Sequence, residues 1–372
     1  MIEILTVDSK EDLKKFVMFP FELYRNDPYW VPPMIAEEME TLDREKNPVF
    51  INADAEYFLA LKNGKIVGRI AVIINRIEVT QQKKPKLRFG WFDVIDDLEV
   101  TRELLDKAKE IGRKNNLEYM EGPVGFTNME KAGVLTMGYD KRSTMITWYH
   151  YPYYAEHFEA LGMKKQATWV EFKMDILPKS TDKVIKFSKL IAERYNLSVL
   201  KFKNKNEILP YVDRMFELLN HTYSSLQTFV PIQPYQVDHY KEKYFKFIRP
   251  EYITCVQDKN KELVAFAIVM PSFSRALQKA KGRLWPFGWF HILKAQYIND
   301  TAAFYLIGIH PEYQGKGVTA IVFQEIQNLF NRKGIVYGET NPELKENTAV
   351  QRLWKDFNPV QHKERSTYRI DI

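Results

Sequence analysis

The chain states one plan twice, and that repetition constrains the fold more than any single motif does. Residues 56–75 (EYFLALKNGKIVGRIAVIIN) read as a strand, an Asn63-Gly64 turn and a longer strand. Residues 251–271 (EYITCVQDKNKELVAFAIVMP) repeat the layout with a slightly longer turn. Each hairpin precedes an apolar strand, a helix and another strand. These fall at 89–95, 101–115 and 117–120 in the first half, and at 303–309, 318–332 and 335–337 in the second. The first of these helices sets Leu104, Leu105, Ala108 and Ile111 on one face; its counterpart sets Ile321, Val322, Ile326, Leu329 and Phe330. Both end in a basic pair, Arg113-Lys114 and Arg332-Lys333, before a residue that accepts a left-handed cap. Each half closes with an amphipathic helix and a final strand, at 153–174 and 348–370. The loop near Pro178 and a helix at 183–195 mark the joint. The expectation is an α/β chain of two duplicated domains, 1–177 and 178–372.

Composition fits that plan. With 372 residues, 45% hydrophobic and 27% charged, the chain can fill two cores and is neither disordered nor fibrous in character. The formal net charge of +6 is spread along the chain. It suits an anionic ligand and argues against a nucleic-acid partner, which calls for a concentrated basic patch. Cys255 is the sole cysteine, so neither an internal disulfide nor a cysteine zinc cluster is available. No His-x-x-x-His pair and no Gly-x-Ser-x-Gly occurs, which leaves zinc and serine hydrolase chemistry without support, and no metal is expected. The start, Met1-Ile2-Glu3-Ile4, does not read as a secretory leader. No run reaches the ~18 apolar residues of a spanning helix. A cytoplasmic protein is expected.

The most specific local feature is Ile307-Gly308-Ile309-His310-Pro311-Glu312-Tyr313-Gln314-Gly315-Lys316-Gly317-Val318-Thr319. A buried strand runs into a short Gly/Lys loop, and the loop opens a long helix. Free backbone N–H groups leave the helix N-terminus there, and the macrodipole adds partial positive charge. Glycines let the backbone approach an anion closely, and Lys316 adds a formal charge. Such a turn suits a phosphate or pyrophosphate. It is neither a Walker loop nor the Gly-x-Gly-x-x-Gly of a dinucleotide fold.

This stretch resembles the GNAT N-acetyltransferase superfamily, which carries Gln/Arg-x-x-Gly-x-Gly/Ala at this turn, often after a His-Pro-Glu-Tyr run. Gln314 and Gly317 match the first and fourth positions, and His310-Pro311-Glu312-Tyr313 match the run. Thr319 departs at the sixth. The resemblance continues through Glu339-Thr340-Asn341 and on to Leu353-Trp354. In the family an Asn opens the final helix and contacts the pantetheine arm; Asn347 takes that place. The Tyr that often protonates the leaving thiolate is here Trp354, whose indole is no useful acid. Either another group supplies the proton or the thiolate leaves unassisted. Asn358 stands for the usual capping Gly.

The first half is similar more loosely. Residues 154–163 (YAEHFEALGM) resemble the family's final helix, with Gly162 as its cap, but Asp96-Asp97-Leu98-Glu99 stands where the phosphate loop belongs. Those carboxylates satisfy the helix dipole themselves and repel a pyrophosphate. Asn26-Asp27-Pro28, Trp30-Val31-Pro32-Pro33 and Glu121-Gly122-Pro123-Val124 also resemble bacterial tandem-GNAT proteins of unassigned activity. The resemblance implies two tandem GNAT-like domains, each a mixed, mostly antiparallel sheet flanked by helices, with the first lacking the phosphate loop. It implies an acyl-CoA-dependent N-acyltransferase, foremost an N-acetyltransferase using acetyl-CoA, with a small-molecule or peptide amine as acceptor. A long-chain N-acyl transferase and a non-catalytic CoA- or acyl-sensing module are the alternatives; Trp354 and Thr319 favour the last.

Acyl transfer from a thioester needs a deprotonated amine, a polarised carbonyl and a proton for the thiolate. By the resemblance, cofactor contacts fall on Ile307, Gly308, Ile309, Gln314, Gly315, Lys316, Gly317, Val318, Thr319 and Asn347. A backbone N–H of the strand ending at Ile309 holds the carbonyl, and Gly308 leaves space for the acyl group. Asp300, Tyr305 and Glu339 are the candidate acids or bases. The blander reading ends a loop with Asp300 and pairs Glu339 with a surface cation.

Two aromatic segments remain. Residues 274–296 (SRALQKAKGRLWPFGWFHILKAQ) hold Arg275, Lys279, Lys281, Arg283 and Lys294 and no acid, around Trp285, Phe287, Trp289 and Phe290. This insertion reads as an extended loop packed at a domain junction, as a lid over the acceptor site, or as a weak membrane-surface contact through 275–296. It could also hold a long acyl chain. The run Trp148-Tyr149-His150-Tyr151-Pro152-Tyr153-Tyr154 reads as core or junction before it reads as cleft lining.

Overall fold

The computed structural model describes residues 1–224, 229–244 and 249–372. Strand β1 (Ile2–Thr6), helices α1 (Lys10–Leu23) and α2 (Ile35–Leu42) lead to the hairpin β2 (Ala53–Lys62) and β3 (Lys65–Asn75). Asn63 and Gly64 both take positive φ (53° and 74°), the two-residue turn whose twist matches paired strands. Then come β4 (Lys86–Val94), α3 (Leu98–Lys114), β5 (Tyr119–Gly122), β6 (Val134–Met137), α4 (Tyr153–Ala160) and β7 (Lys164–Asp175). The second round runs α5 (Asp182–Tyr195), β8 (Ser198–Leu200), α6 (Leu209–Tyr223), α7 (Pro234–Tyr244), β9 (Ile253–Gln257) and β10 (Leu263–Pro271). After α8 (Ser274–Ala280) and α9 (Gly288–Tyr297) come β11 (Thr301–Ile309), α10 (Val318–Lys333) and β12 (Tyr337–Thr340). β13 (Glu343–Leu344), α11 (Thr348–Gln351) and β14 (Val360–Asp371) close the chain.

The chain divides into two compact units. One holds 1–170, 273–294 and 362–372; the other holds 171–272 and 295–361. Segments 273–294 and 362–372, which the sequence reading placed in the second domain, therefore pack with the first. The physical reason for the last segment is strand pairing: Tyr368 lies opposite Gly122 on β5, and Arg365 lies opposite Leu135 on β6.

The first unit's sheet runs β1-β2-β3-β4-β5-β14-β7, and the second's runs β7-β12-β11-β10-β9-β8, with β7 contributing 164–170 to one and 171–175 to the other. Among the described pairings β4 with β5 and β11 with β12 are parallel, and in each case a helix makes the crossover. That helix, α3 or α10, buries the face its periodicity marks: Leu104, Leu105, Ala108 and Ile111, or Ile321, Val322, Ile326, Leu329 and Phe330. Of the expected caps, Gly162, Gly334 and Asn358 take positive φ, whereas Asn115 after the first basic pair has φ of −100° and the left-handed residue there is Asn116, one position later. The doubled α/β plan, each unit a mostly antiparallel sheet flanked by helices, is thus present, with segments 273–294 and 362–372 carried by the first half rather than the second.

The aromatic run at 148–154 lies largely inside the first unit, with Tyr151 and Tyr153 part-buried and Pro152 exposed. Trp148, Tyr149, His150 and Tyr154 are all buried there, and Tyr154 hydrogen-bonds Tyr24 at 2.8 Å. The insertion is helical rather than extended, and Trp285 and Phe287 are 80% and 73% exposed rather than packed.

Candidate functional site

β11 and β12 run together for a short stretch, from the rung Thr301–Tyr337 to the rung Phe304–Thr340. There they part. Asn341 pegs the fork: its N–H donates to the Phe304 carbonyl (3.2 Å) and its Nδ2 to the Tyr305 carbonyl (2.9 Å). On the opposite edge, β10 pairs Val269 with Phe304 and Ile268 with Leu306, which leaves Tyr305 as the extra residue of a β-bulge. Beyond the bulge, the Ile307 carbonyl accepts from Tyr223 Oη (3.2 Å). The Ile309 carbonyl accepts from Thr222 Oγ1 (3.4 Å) and Gln314 Nε2 (3.1 Å). These alternate residues turn their backbone polar groups away from β10 and into the fork. Phe304, Tyr305, Leu306 and Ile307 are only part-buried, whereas every residue of β4 is buried.

β4 and β5 pair only from Lys86–Tyr119 to Arg88–Glu121, but the gap beyond that pair is filled. A Cβ on Gly90 would press against the Val124 carbonyl and lie 3.4 Å from Trp148. The first unit has the same crossover, but beyond the β4–β5 pair the space beside Gly90 is taken by the Val124 backbone and Trp148.

β11 runs out into the loop. His310 donates its N–H to Val264 (2.8 Å), a single helical turn covers Pro311–Tyr313, and Gly315 and Gly317 take φ of 72° and 81°. Only glycine adopts that region without strain. Gly317 caps α10 with no side chain, and the first turn of α10 holds no acid, so its leading amides stay open to an anion. The Lys316 ammonium lies 5.5 Å from the Tyr195 ring and 5.4 Å from the Tyr313 ring, which holds the charge beside the loop.

The equivalent helix start in the first unit is closed by carboxylates. Asp97 caps α3 by accepting the Glu99 N–H (3.0 Å) and pairs with Lys62 (2.6 Å), while Asp96 meets His157 (3.3 Å). Asp97→Ala is expected to cost about 1 kcal/mol of stability by urea titration, the usual worth of such a cap.

A cavity of about 620 Å³ runs beside the start of α10, lined by Lys183, Phe187, Thr319, Phe323, Leu353 and Phe357 among others. That is the size of a ligand pocket, with largely apolar walls and a cation at the rim.

The sequence reading missed Glu343. Trp354 is 2% exposed; it packs on Phe304 (4.8 Å) and Phe323 (5.2 Å) and donates its Nε1 to Glu343 Oε1 (2.7 Å). Glu343 as a residue is only part-buried, yet its Oε2 is sealed from solvent and has no partner among the described residues. Burial pushes this carboxyl up to about 8, against the Trp354 hydrogen bond, which pulls the other way. Burial also pushes the Tyr223 hydroxyl up to about 12, and the Glu343 charge adds to that shift. The Tyr223 hydroxyl is the one bonded to the strand at Ile307. No local pattern marks Glu343 in the run Asn341-Pro342-Glu343-Leu344; only the enclosing fold does.

The expected residues divide accordingly. Tyr305 sits on the bulge, Ile307 and Ile309 face the fork, and 314–319 form the loop and first turn. Val318 has only its backbone to offer there, since its side chain is 1% exposed. Gly308 does not leave space for an acyl group: a Cβ there would sit 2.6 Å from the Phe266 ring, which fills the room. Asn347 opens α11 as expected, accepting the Val350 N–H (3.4 Å). Glu339 lies before the fork, on the rung with Ala303 and Lys173. Asp300 accepts from Thr301 Oγ1 (2.8 Å) ahead of β11, roughly 30 Å of strand from Ile309, so the fold does not bring it to the loop.

No family model matches the chain. It is 25% identical over 375 residues to Protein YghO of Escherichia coli K12, a match covering 99% of this chain and 95% of that protein. It is 24% identical over 380 residues to a bacterial ceramide synthase of Caulobacter vibrioides, covering 99% and 96%. Among solved structures it is similar to a tandem GNAT protein from the clavulanic acid biosynthesis pathway, with a TM-score of 0.58, 12% identity, and coverage of 100% of this chain and 98% of the other.

Proposed function

From the premise that this chain has the GNAT acetyltransferase fold, we propose that its second unit binds an acyl-CoA and transfers the acyl group to an amine. One observation carries the reading: a carboxylate-free helix start, opened by Gly315 and Gly317, lies at the end of a strand forked from its neighbour. The residues fit the carrier. The amides of the loop and first turn, with Lys316, take the diphosphate; Ile307 and Ile309 offer N–H groups to the arm and the thioester carbonyl; Asn347 meets the arm.

Glu343 supplies acid–base work in place of the missing tyrosine. Ionised, it takes the proton that the acceptor ammonium loses before the free amine attacks. As the C–S bond of the tetrahedral intermediate breaks, the protonated Glu343 gives that proton to the thiolate, and the second proton on the new C–N nitrogen leaves to solvent. A carboxyl held near 8 serves both directions at neutral pH. This favours an enzyme over a silent sensor.

The end-to-end likeness to a protein named as a ceramide synthase supports the long-chain alternative over acetyl transfer. So does the volume of the apolar cavity, about 620 Å³, far beyond what an acetyl group fills. The test is thiol release from acetyl-CoA and palmitoyl-CoA with a panel of short and long-chain amines. Cys255 adds no background, being fully buried with its thiol pushed up to about 12. The expected result is release with palmitoyl-CoA and a long-chain amine, well above the buffer rate. Tight binding without turnover on any acceptor would leave the sensing role instead.

A further inference from the structure

The first unit carries a feature that acyl transfer does not use. α8 is anchored: Ala276, Leu277 and Ala280 are buried, and Gln278 Nε2 donates to the carbonyls of Pro28 and Trp30, each at 2.9 Å. Gly282 accepts the Ile35 N–H (2.9 Å), and Lys281 and Gly282 both take positive φ, so the chain leaves α8 at a fixed angle. Beyond that bend the side chains stand bare. Leu284, Trp285, Phe287, Trp289, Phe290 and Leu293 are 48, 80, 73, 47, 51 and 45% exposed. Six large apolar side chains in ten residues make a patch that folded chains rarely leave in water.

The tip is ordered for an apolar surrounding. Trp289 Nε1 donates to the Pro286 carbonyl (2.9 Å), so the indole carries no unmet donor into a less polar medium. A Cβ on Gly288 would clash with the Arg283 carbonyl, which keeps the turn tight. Around the tip, Lys279, Lys281, Arg283 and Lys294 are at least part-exposed, and residues 274–296 contain no acid. Among the described residues, no helix is long and apolar enough to cross a membrane.

We infer that the α8–α9 hairpin docks the protein on an anionic lipid bilayer, with Trp285, Phe287 and Phe290 in the interface and the basic residues over the headgroups. Charge selects this occupant. A second copy of the chain would set the same four cations face to face around a shared apolar patch, whereas anionic headgroups complement them. The inference goes beyond acyl transfer and stands without it.

The test is co-sedimentation of the full chain with vesicles of phosphatidylcholine alone and of phosphatidylcholine mixed with phosphatidylglycerol. Binding to the mixed vesicles is expected, weaker by at least about tenfold on pure phosphatidylcholine or in high salt. The variant Trp285→Ser/Phe287→Ser/Phe290→Ser should lose at least about tenfold in partition. Lys281→Glu/Arg283→Glu should lose a comparable amount without touching the aromatics. Both change exposed side chains, so an unchanged melting curve and unchanged CoA binding are the controls that separate this inference from the site assignment. Equal partition of wild type and both variants, or indifference to phosphatidylglycerol, would overturn it. So would a concentration-dependent dimer in sedimentation velocity that the aromatic variant abolishes.

Discussion

Glu343→Gln is expected to lower the turnover of acyl transfer by about 10²–10⁴-fold, the usual worth of a positioned acid–base group, while leaving CoA affinity within about twofold. The amide is close in shape to the protonated acid, which is the dominant form below about pH 8, so the Trp354 contact survives. The pH profile separates this role from a structural one. With the carboxyl near 8, kcat/KM rises with pH as the base ionises and levels off above about 8; the variant loses that limb. Trp354→Phe gives the second readout. The indole bond favours the charged form, so its removal raises the carboxyl further and moves the limb to higher pH. Stability carries the same signature. A carboxyl raised in the folded state binds a proton that the unfolded chain has released, so wild type loses stability as pH climbs from 4.5 to about 8. The Gln variant should show a smaller slope across that window by thermal unfolding. A variant with full activity and an unmoved limb would remove Glu343 from the chemistry.

Gly317→Asp is expected to weaken CoA binding by about 100-fold or more in calorimetry, with the fold retained. Three effects act together. The φ of 81° is strained for any side chain, and a Cβ would sit 2.9 Å from the Phe187 ring. The largest effect is charge: an aspartate at this position caps α10 as Asp97 caps α3, fills its open amides and repels a diphosphate. Gly317→Ala keeps the strain without the charge and should lose far less. Equal affinity in Gly317→Asp and wild type would falsify the loop as the diphosphate site.

The parts of the site that lie along one stretch of chain were legible beforehand. A strand into Gly315-Lys316-Gly317 and a helix from Val318 are statements about neighbouring backbone, and the left-handed positions at Gly334 and Asn358 come from residue type. The strand after the second crossover helix was read at 335–337 and stands at Tyr337–Thr340, because its register is set by β7 and β11 rather than by its own residues. Gly308 shows the same limit in reverse. A missing side chain does not leave a void when Phe266 from the next strand moves into it.

Hydrophobic period, turn residues and the Gly/Lys loop are short-range properties, and from them the sequence alone determined the doubled α/β plan, the crossover helices and the anion-ready turn. The fork, the Tyr305 bulge, the sealed oxygen of Glu343 and the bare aromatic tip were decided only by tertiary structure. Each depends on which distant segment comes to lie against it: Asn341 against Phe304, β10 against β11, Trp354 against Glu343, and, at the tip, solvent against Trp285. A carboxyl acquires an unusual proton affinity from what surrounds it, and the chain sequence does not state what surrounds it until the fold is made.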